Sequence, residues 1–248
     1  MNLILWQAIF LLSGLALLPF APFLYLQGKR TRRRVGVLPG ASGDIRGRTD
    51  GEGVAAKLLV IGESTVEGLG ARTHETALAG QFARRLAAHL DRPVEWTAIG
   101  KSGVTARQTI DLLVPRIPEG DLDYLLVGLG GNDVLKLSSP RKWRHDMCEL
   151  LGILRQMNPN AVIFLANCPV IRISPALPQP IKFFLWQLSK IHDANIREFS
   201  KPMENVFYYH QPREVPNGFF ADGIHPSEKG YADWSEAMMQ FFIKHYKW

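Results

Sequence analysis

Only two of the 248 residues are cysteine, Cys148 and Cys168, too few for a disulfide framework. The seven histidines show no metal-ligand spacing, so neither a metal nor a cofactor is expected. There is no internal repeat and no low-complexity tract. The 22 glycines and 16 prolines follow no period, and hydrophobic residues reach 46% against 21% charged, which excludes fibrous and disordered classes. The length suits one domain of roughly 150 to 200 residues plus an additional segment.

Acidic residues are missing from one stretch in particular. The run KRTRRR supplies Lys29, Arg30, Arg32, Arg33 and Arg34, and without those five charges the chain's +6 falls to +1. A near-neutral remainder argues against a nucleic-acid-binding face. Residues 1–28 carry no charged side chain, and Leu3 to Leu26 is interrupted only by Gln7, Ser13, Gly14, Pro19 and Pro22. About 20 apolar residues cross a hydrocarbon core of about 30 Å. A buried core helix or a cleaved signal are the other readings. A signal, however, carries its positive charge before the apolar run and a small-residue cleavage site after it. The pattern therefore predicts a single transmembrane anchor over 1–28. The basic run holds its far end, and the rest of the chain, on the cytoplasmic side, and attracts anionic head groups.

Residues 35–53 contain six glycines and no sustained period of 2 or 3.6, so 29–55 reads as a basic flank and flexible linker. From residue 56 to 248 one α/β domain is expected. Apolar runs at 57–62, 94–100, 122–130, 161–168 and 205–209 read as about five buried parallel strands. Helical patterns separate them: Leu78, Phe82 and Leu86; a capping box at Thr105 and Gln108; Pro140 in a first turn; Ile181, Phe184, Leu185, Leu188 and Ile191; Tyr231, Trp234, Met238 and Phe242. Alternation of this kind implies a parallel sheet with helices on both faces. Cys148 falls in a helix and Cys168 at a strand end, both as buried thiols.

Ligands of open parallel sheets bind beyond the carboxyl ends of the strands. Four polar, glycine-bearing loops follow those ends: Gly62-Glu63-Ser64, Gly100-Lys101-Ser102-Gly103, Gly130-Gly131-Asn132-Asp133 and Asp222-Gly223-Ile224-His225. Each alone fits a cap or a turn. Together they supply an acyl-transfer site. Ser64 is a candidate nucleophile, His225 its base and Asp222 the group that orients the imidazole. The backbone N–H groups of Ser64 and Gly103 and the Asn132 amide are candidate oxyanion donors. The glycine-rich loops lack the Lys-Ser/Thr ending of a phosphate loop and the third glycine of a dinucleotide fingerprint. They also lack the Gly-x-Ser-x-Gly elbow, because position 66 is Val.

These blocks resemble the SGNH hydrolases, the GDSL-like esterases and lipases, with Ser64, Gly103, Asn132 and His225 at the four name-giving positions. The resemblance covers roughly residues 57–245. It implies a three-layer α/β/α flavodoxin-like fold, a Ser64–His225–Asp222 triad and hydrolysis of esters or thioesters without metal. The family's Gly-Asp-Ser reads Gly62-Glu63-Ser64 here, which leaves open how the longer acid anchors the turn. Gly100 competes with Gly103 for the second position.

The expected substrate is a small-molecule or lipid-like ester. Phe183, Trp186 and Lys190 form one helix face, either packed beneath a loop or touching a bilayer. Arg72, His74 and Lys101 are further pocket candidates, each equally readable as a surface residue. A small-acyl carbohydrate esterase is the alternative enzyme, and a catalytically silent membrane-tethered binding module the alternative outside catalysis.

Overall fold

The computed structural model describes residues 3–247. An apolar helix, α1 (Leu3–Leu17), is joined by one 3-10 turn to α2 (Ala21–Val35), which is apolar in its first half and basic in its second. After them come β1 (Arg46–Arg48), β2 (Ala56–Gly62), α3 (Leu78–Leu90), β3 (Val94–Gly100), α4 (Ala106–Leu112), β4 (Tyr124–Gly128) and α5 (Gly131–Leu135). The chain finishes with α6 (Pro140–Met157), β5 (Val162–Leu165), α7 (Ile181–Ser200), β6 (Val206–Tyr208) and α8 (Glu228–His245).

The five apolar runs all become strands; 57–62 and 94–100 keep their length or gain a residue, and the other three are shortened where their ends turn into loops. They align in parallel as β3-β2-β4-β5-β6, the flavodoxin-like order, with β2 beside the point where the winding reverses. Successive side chains of a strand point to opposite faces. Leu58 and Val60 accordingly enter a core with Phe82, Leu86, Tyr231 and Phe242 of α3 and α8. Leu59 and Ile61 enter a second core with Trp143, Leu150 and Phe199 of α6 and α7. The capping box forms at Thr105 and Gln108, and Pro140 opens α6 behind a Ser139 cap.

A sixth strand corrects the linker expectation. β1 adds antiparallel to the sheet edge, with Arg46, Gly47 and Arg48 opposite Thr97, Trp96 and Glu95 of β3. Its Arg-Gly-Arg sequence has no apolar alternation, so backbone pairing rather than burial defines it. Gly47 lies so close to the Trp96 ring that a Cβ would not fit. Upstream, the Ala41 N–H donates to Glu67 O at 2.9 Å and the Ser42 N–H to Arg72 O at 2.9 Å. The segment is fastened to the domain, and the basic run forms the last turns of α2.

The helical stretch Leu3–Val35 is long and apolar enough to cross a membrane, with a mean hydropathy of 2.1 over its most apolar 18 residues. Cys168 is buried as expected, whereas Cys148 is only half-buried; both are free thiols.

Candidate active site

The end of β2 delivers Ser64. Gly62 packs directly on the Gly128 carbonyl of β4, an approach that excludes any side chain. The chain then turns, with the Val66 and Glu67 N–H groups both donating to Glu63 O. The loop before α8 brings Asp222 and His225 to the serine, His225 from 161 residues away. His225 Nε2 lies 3.2 Å from Ser64 Oγ, and His225 Nδ1 lies 2.8 Å from Asp222 Oδ2. The other carboxylate oxygen accepts the backbone N–H groups of Ile224 at 2.8 Å and His225 at 2.7 Å. Burial pushes the Asp222 carboxyl up, but the hydrogen bonds from the His225 side chain and from those two amides together hold it below the ordinary carboxylate value. An ionised carboxylate therefore faces the imidazole, with Nδ1 as the hydrogen-bearing nitrogen and Nε2 open towards the serine.

Asn132 lies in the first turn of α5, beyond β4. Its side-chain Nδ2 donates to Glu63 Oε2 at 2.6 Å, and its second amide hydrogen is left for another acceptor. Gly103, between β3 and α4, has φ +84°, and the space beside its Cα is open. Among the described residues, neither Ser64 N nor Gly103 N has a hydrogen-bond acceptor. Gly100 is different: its Cα abuts the Glu67 backbone, which makes it a packing position.

Comparison with known proteins bears on this arrangement. Residues 60–232 match the model of the GDSL-like lipase/acylhydrolase family. The chain belongs to that family. No curated protein sequence matches it, but solved structures share its fold. A lipase from a goat rumen metagenome aligns at a TM-score of 0.56 and 16% identity, covering 75% of this chain and 97% of that one. A family 3 carbohydrate esterase from Clostridium thermocellum aligns at 0.54 and 18% identity, covering 77% and 96%. An acetyl xylan esterase from Butyrivibrio proteoclasticus aligns at 0.53 and 15% identity, covering 79% and 66%.

In this GDSL-family chain the acid before the serine is Glu63, whose two carboxylate oxygens grip the start of α5. Oε1 accepts the Gly131 N–H at 2.7 Å, while Oε2 accepts the Asn132 N–H at 2.8 Å along with the Asn132 side chain. Burial raises the Glu63 carboxyl to about 7, against the hydrogen bonds from Asn132 and Gly131 that lower it. Asp133 is fully buried and does a parallel task. Its carboxylate accepts the Ala106 N–H at 2.9 Å and the Ser138 hydroxyl at 2.8 Å, fixing the start of α4 against α5. Lys136 Nζ donates to Gly103 O at 2.6 Å and to Gln108 Oε1 at 2.9 Å. The sequence pattern assigns no role to Asp133 or Lys136 and leaves open how Glu63 anchors the turn. The position of Glu63 beside the serine was the only local signal, because the partners lie on other loops.

An apolar cavity opens beside the candidate triad, lined by Leu129, Leu135, Ile171, Leu177, Phe219 and Trp234 among others. Glu63, Thr65, Gly131, Ile224 and Pro226 belong to its wall, so the chain neighbours of Ser64, Asn132 and His225 border it. Arg72 and His74 do not. Arg72 pairs with Glu228 at 3.0 Å on the surface, and His74 is buried, which lowers its basicity. Lys101 is exposed beside the serine loop. Trp186 is half-buried with its ring beneath Lys190 Nζ at 4.8 Å, while Phe183 remains exposed.

Proposed function

We propose that the chain is a membrane-associated serine hydrolase that cleaves an ester or thioester through an acyl-enzyme on Ser64, with a lipid-like or acyl-chain substrate. The continuous hydrogen-bonded path from Ser64 Oγ through His225 to Asp222 is the observation that carries this reading. His225 Nε2 takes the Ser64 proton as Oγ bonds to the acyl carbon. The carbonyl electron pair moves to oxygen, where the Ser64 and Gly103 N–H groups and the Asn132 amide can donate. The intermediate collapses, and the leaving alcohol or thiol takes its proton from His225. Water then repeats the sequence and releases the acid. Asp222 holds the imidazole tautomer and stabilises the imidazolium.

The cavity beside the triad supports an acyl-chain substrate, since an apolar tail gains by leaving water there. The apolar N-terminal helices and the basic run support a membrane location, with the domain on the cytoplasmic side. A small-acyl carbohydrate esterase is the second reading, favoured by structural neighbours named as carbohydrate esterases. Treating the full-length chain in lipid vesicles with a fluorophosphonate, beside Ser64→Ala, tests the chemistry. An adduct mapped to Ser64 and lost in the variant is expected; labelling that persists in the variant would refute the assignment. Comparison of acetyl with octanoyl esters then separates the two substrate readings.

A further inference from the structure

The N-terminal helices are attached to the domain at both ends. Gln7 Oε1 accepts the Arg141 N–H at 3.1 Å in the first turn of α6. Gln27 Oε1 accepts the Ile181 N–H at 3.2 Å in the first turn of α7, and its Nε2 donates to Gln179 O at 2.7 Å. Each glutamine thus fills a donor that a helix start leaves unpaired. Trp6 is buried, Thr31 is buried, and Arg34 Nη2 reaches Ala176 O at 2.5 Å. Residues 3, 6, 7 and 10 and then 24, 27, 28, 31 and 35 lose exposure at helical spacing, as one stripe facing the domain. Residues 11–16 and 18–23 are exposed on all sides. The segment therefore lifts off the domain in its middle, where Pro19 and Pro22 interrupt the helix.

This arrangement conflicts with a simple crossing. Twenty residues of straight helix advance about 30 Å, which is the thickness of the hydrocarbon core. A span would place Gln7 and Gln27 on opposite faces of the bilayer. One domain could then hold both only by lying within the lipid, yet the surface concerned carries Arg141, Lys142, Arg144 and Lys182. We propose that residues 3–35 form a monotopic arch, which enters and leaves a single leaflet of an anionic bilayer with both ends on the domain's side. Its lipid-facing surface includes Leu11, Leu12, Leu15, Leu18, Phe20 and Phe23, all exposed. Its second foot carries the basic run, matched to anionic head groups.

The arch is independent of the hydrolytic chemistry and rests only on the membrane association proposed above. It also has a consequence for that site. Its second foot grips the 174–181 loop, whose Ser174 and Leu177 line the apolar cavity and whose Ser174 hydroxyl donates to Gly223 O at 2.6 Å in the loop holding Asp222 and His225. Docking thus holds the cavity next to the leaflet from which a lipid ester would come.

The test uses the full-length chain with one epitope ahead of Met1 and another after Trp248, expressed in cells and examined in sealed membrane vesicles of both orientations after a carbonate wash. Added protease is expected to remove both epitopes in one orientation and neither in the other. Protection of one epitope with loss of the other in the same vesicles would overturn the arch, and release of the chain by carbonate would overturn the membrane reading with it. A Gln7→Leu, Gln27→Leu variant removes both feet and makes the segment more apolar. It is expected to move the first epitope to the opposite face in a large fraction of molecules; unchanged sidedness would overturn the assignment of the two glutamines. Fluorophosphonate labelling of Ser64 in the same vesicles separates failure of the topology from failure of the chemistry.

Discussion

Glu63 and Asn132 are bound twice, through the backbone N–H and through the side-chain amide of Asn132, both to the same carboxylate oxygen. The residue preceding the candidate nucleophile thereby fixes the candidate oxyanion donor on a different loop. Removing the donor and removing the nucleophile should then differ in kind. Ser64→Ala is expected to abolish nearly all ester turnover, whereas Asn132→Ala should lower kcat by on the order of 10² to 10³ and leave a measurable remainder. Equal activity in Ser64→Ala and the parent would end the acyl-enzyme reading.

Glu63→Gln should lower kcat more than it alters KM. A glutamine offers one acceptor oxygen and places an amide nitrogen against groups that are themselves donors. The expected penalty is about 1 to 3 kcal/mol in stability, read from chemical denaturation, with kcat falling because Asn132 loses its fixed orientation. Unchanged kcat would mean that Asn132 is held by packing alone.

The same carboxyl makes stability depend on pH. Its folded value, about 7, is raised above the ordinary 4.5, so the native state binds the proton more tightly than the unfolded chain. Its contribution is fully present below pH 4.5 and is lost as pH rises through 7. The parent should therefore lose up to about 3 kcal/mol relative to Glu63→Gln across that window. The stability difference between the two proteins, followed from pH 4.5 to 8, gives the answer; a flat difference would contradict the burial argument. Asp133 is the other carboxyl facing Glu63, so the Asp133→Asn background serves as a control.

Asp222→Asn should leave the fold intact and reduce turnover by on the order of 10⁴, because the amide no longer selects the imidazole tautomer that opens Nε2 to Ser64. A pH–rate profile and a crystal structure of the variant together check that the loss is chemical.

In the cavity wall, Leu177→Trp should reduce kcat/KM for octanoyl esters at least tenfold while changing acetyl ester turnover little. Equal losses on both esters would remove the cavity from the acyl-binding role.

At the sheet edge, Gly47→Val is expected to destabilise the chain by about 1 to 3 kcal/mol, since the new side chain collides with the Trp96 ring. A neutral result would show that β1 detaches without consequence.

The apolar and polar periods are legible along the chain, and with them the five parallel strands, most helix faces and the capping box at Thr105. It also carried the four glycine-bearing loops, because strand-end chemistry is local and the flavodoxin-like winding brings those ends to one edge. Three things depended on tertiary structure. β1 has no period of its own and exists through hydrogen bonds to β3, so a composition of arginine and glycine read as linker. The anchoring by Glu63 and Asp133 joins loops about 70 and 27 residues apart, a distance that no local pattern encodes. The apolar N-terminal run announced an affinity for lipid, but hydropathy counts residues along one axis; only the contacts of Gln7 and Gln27 with the starts of α6 and α7 place both of its ends on one domain.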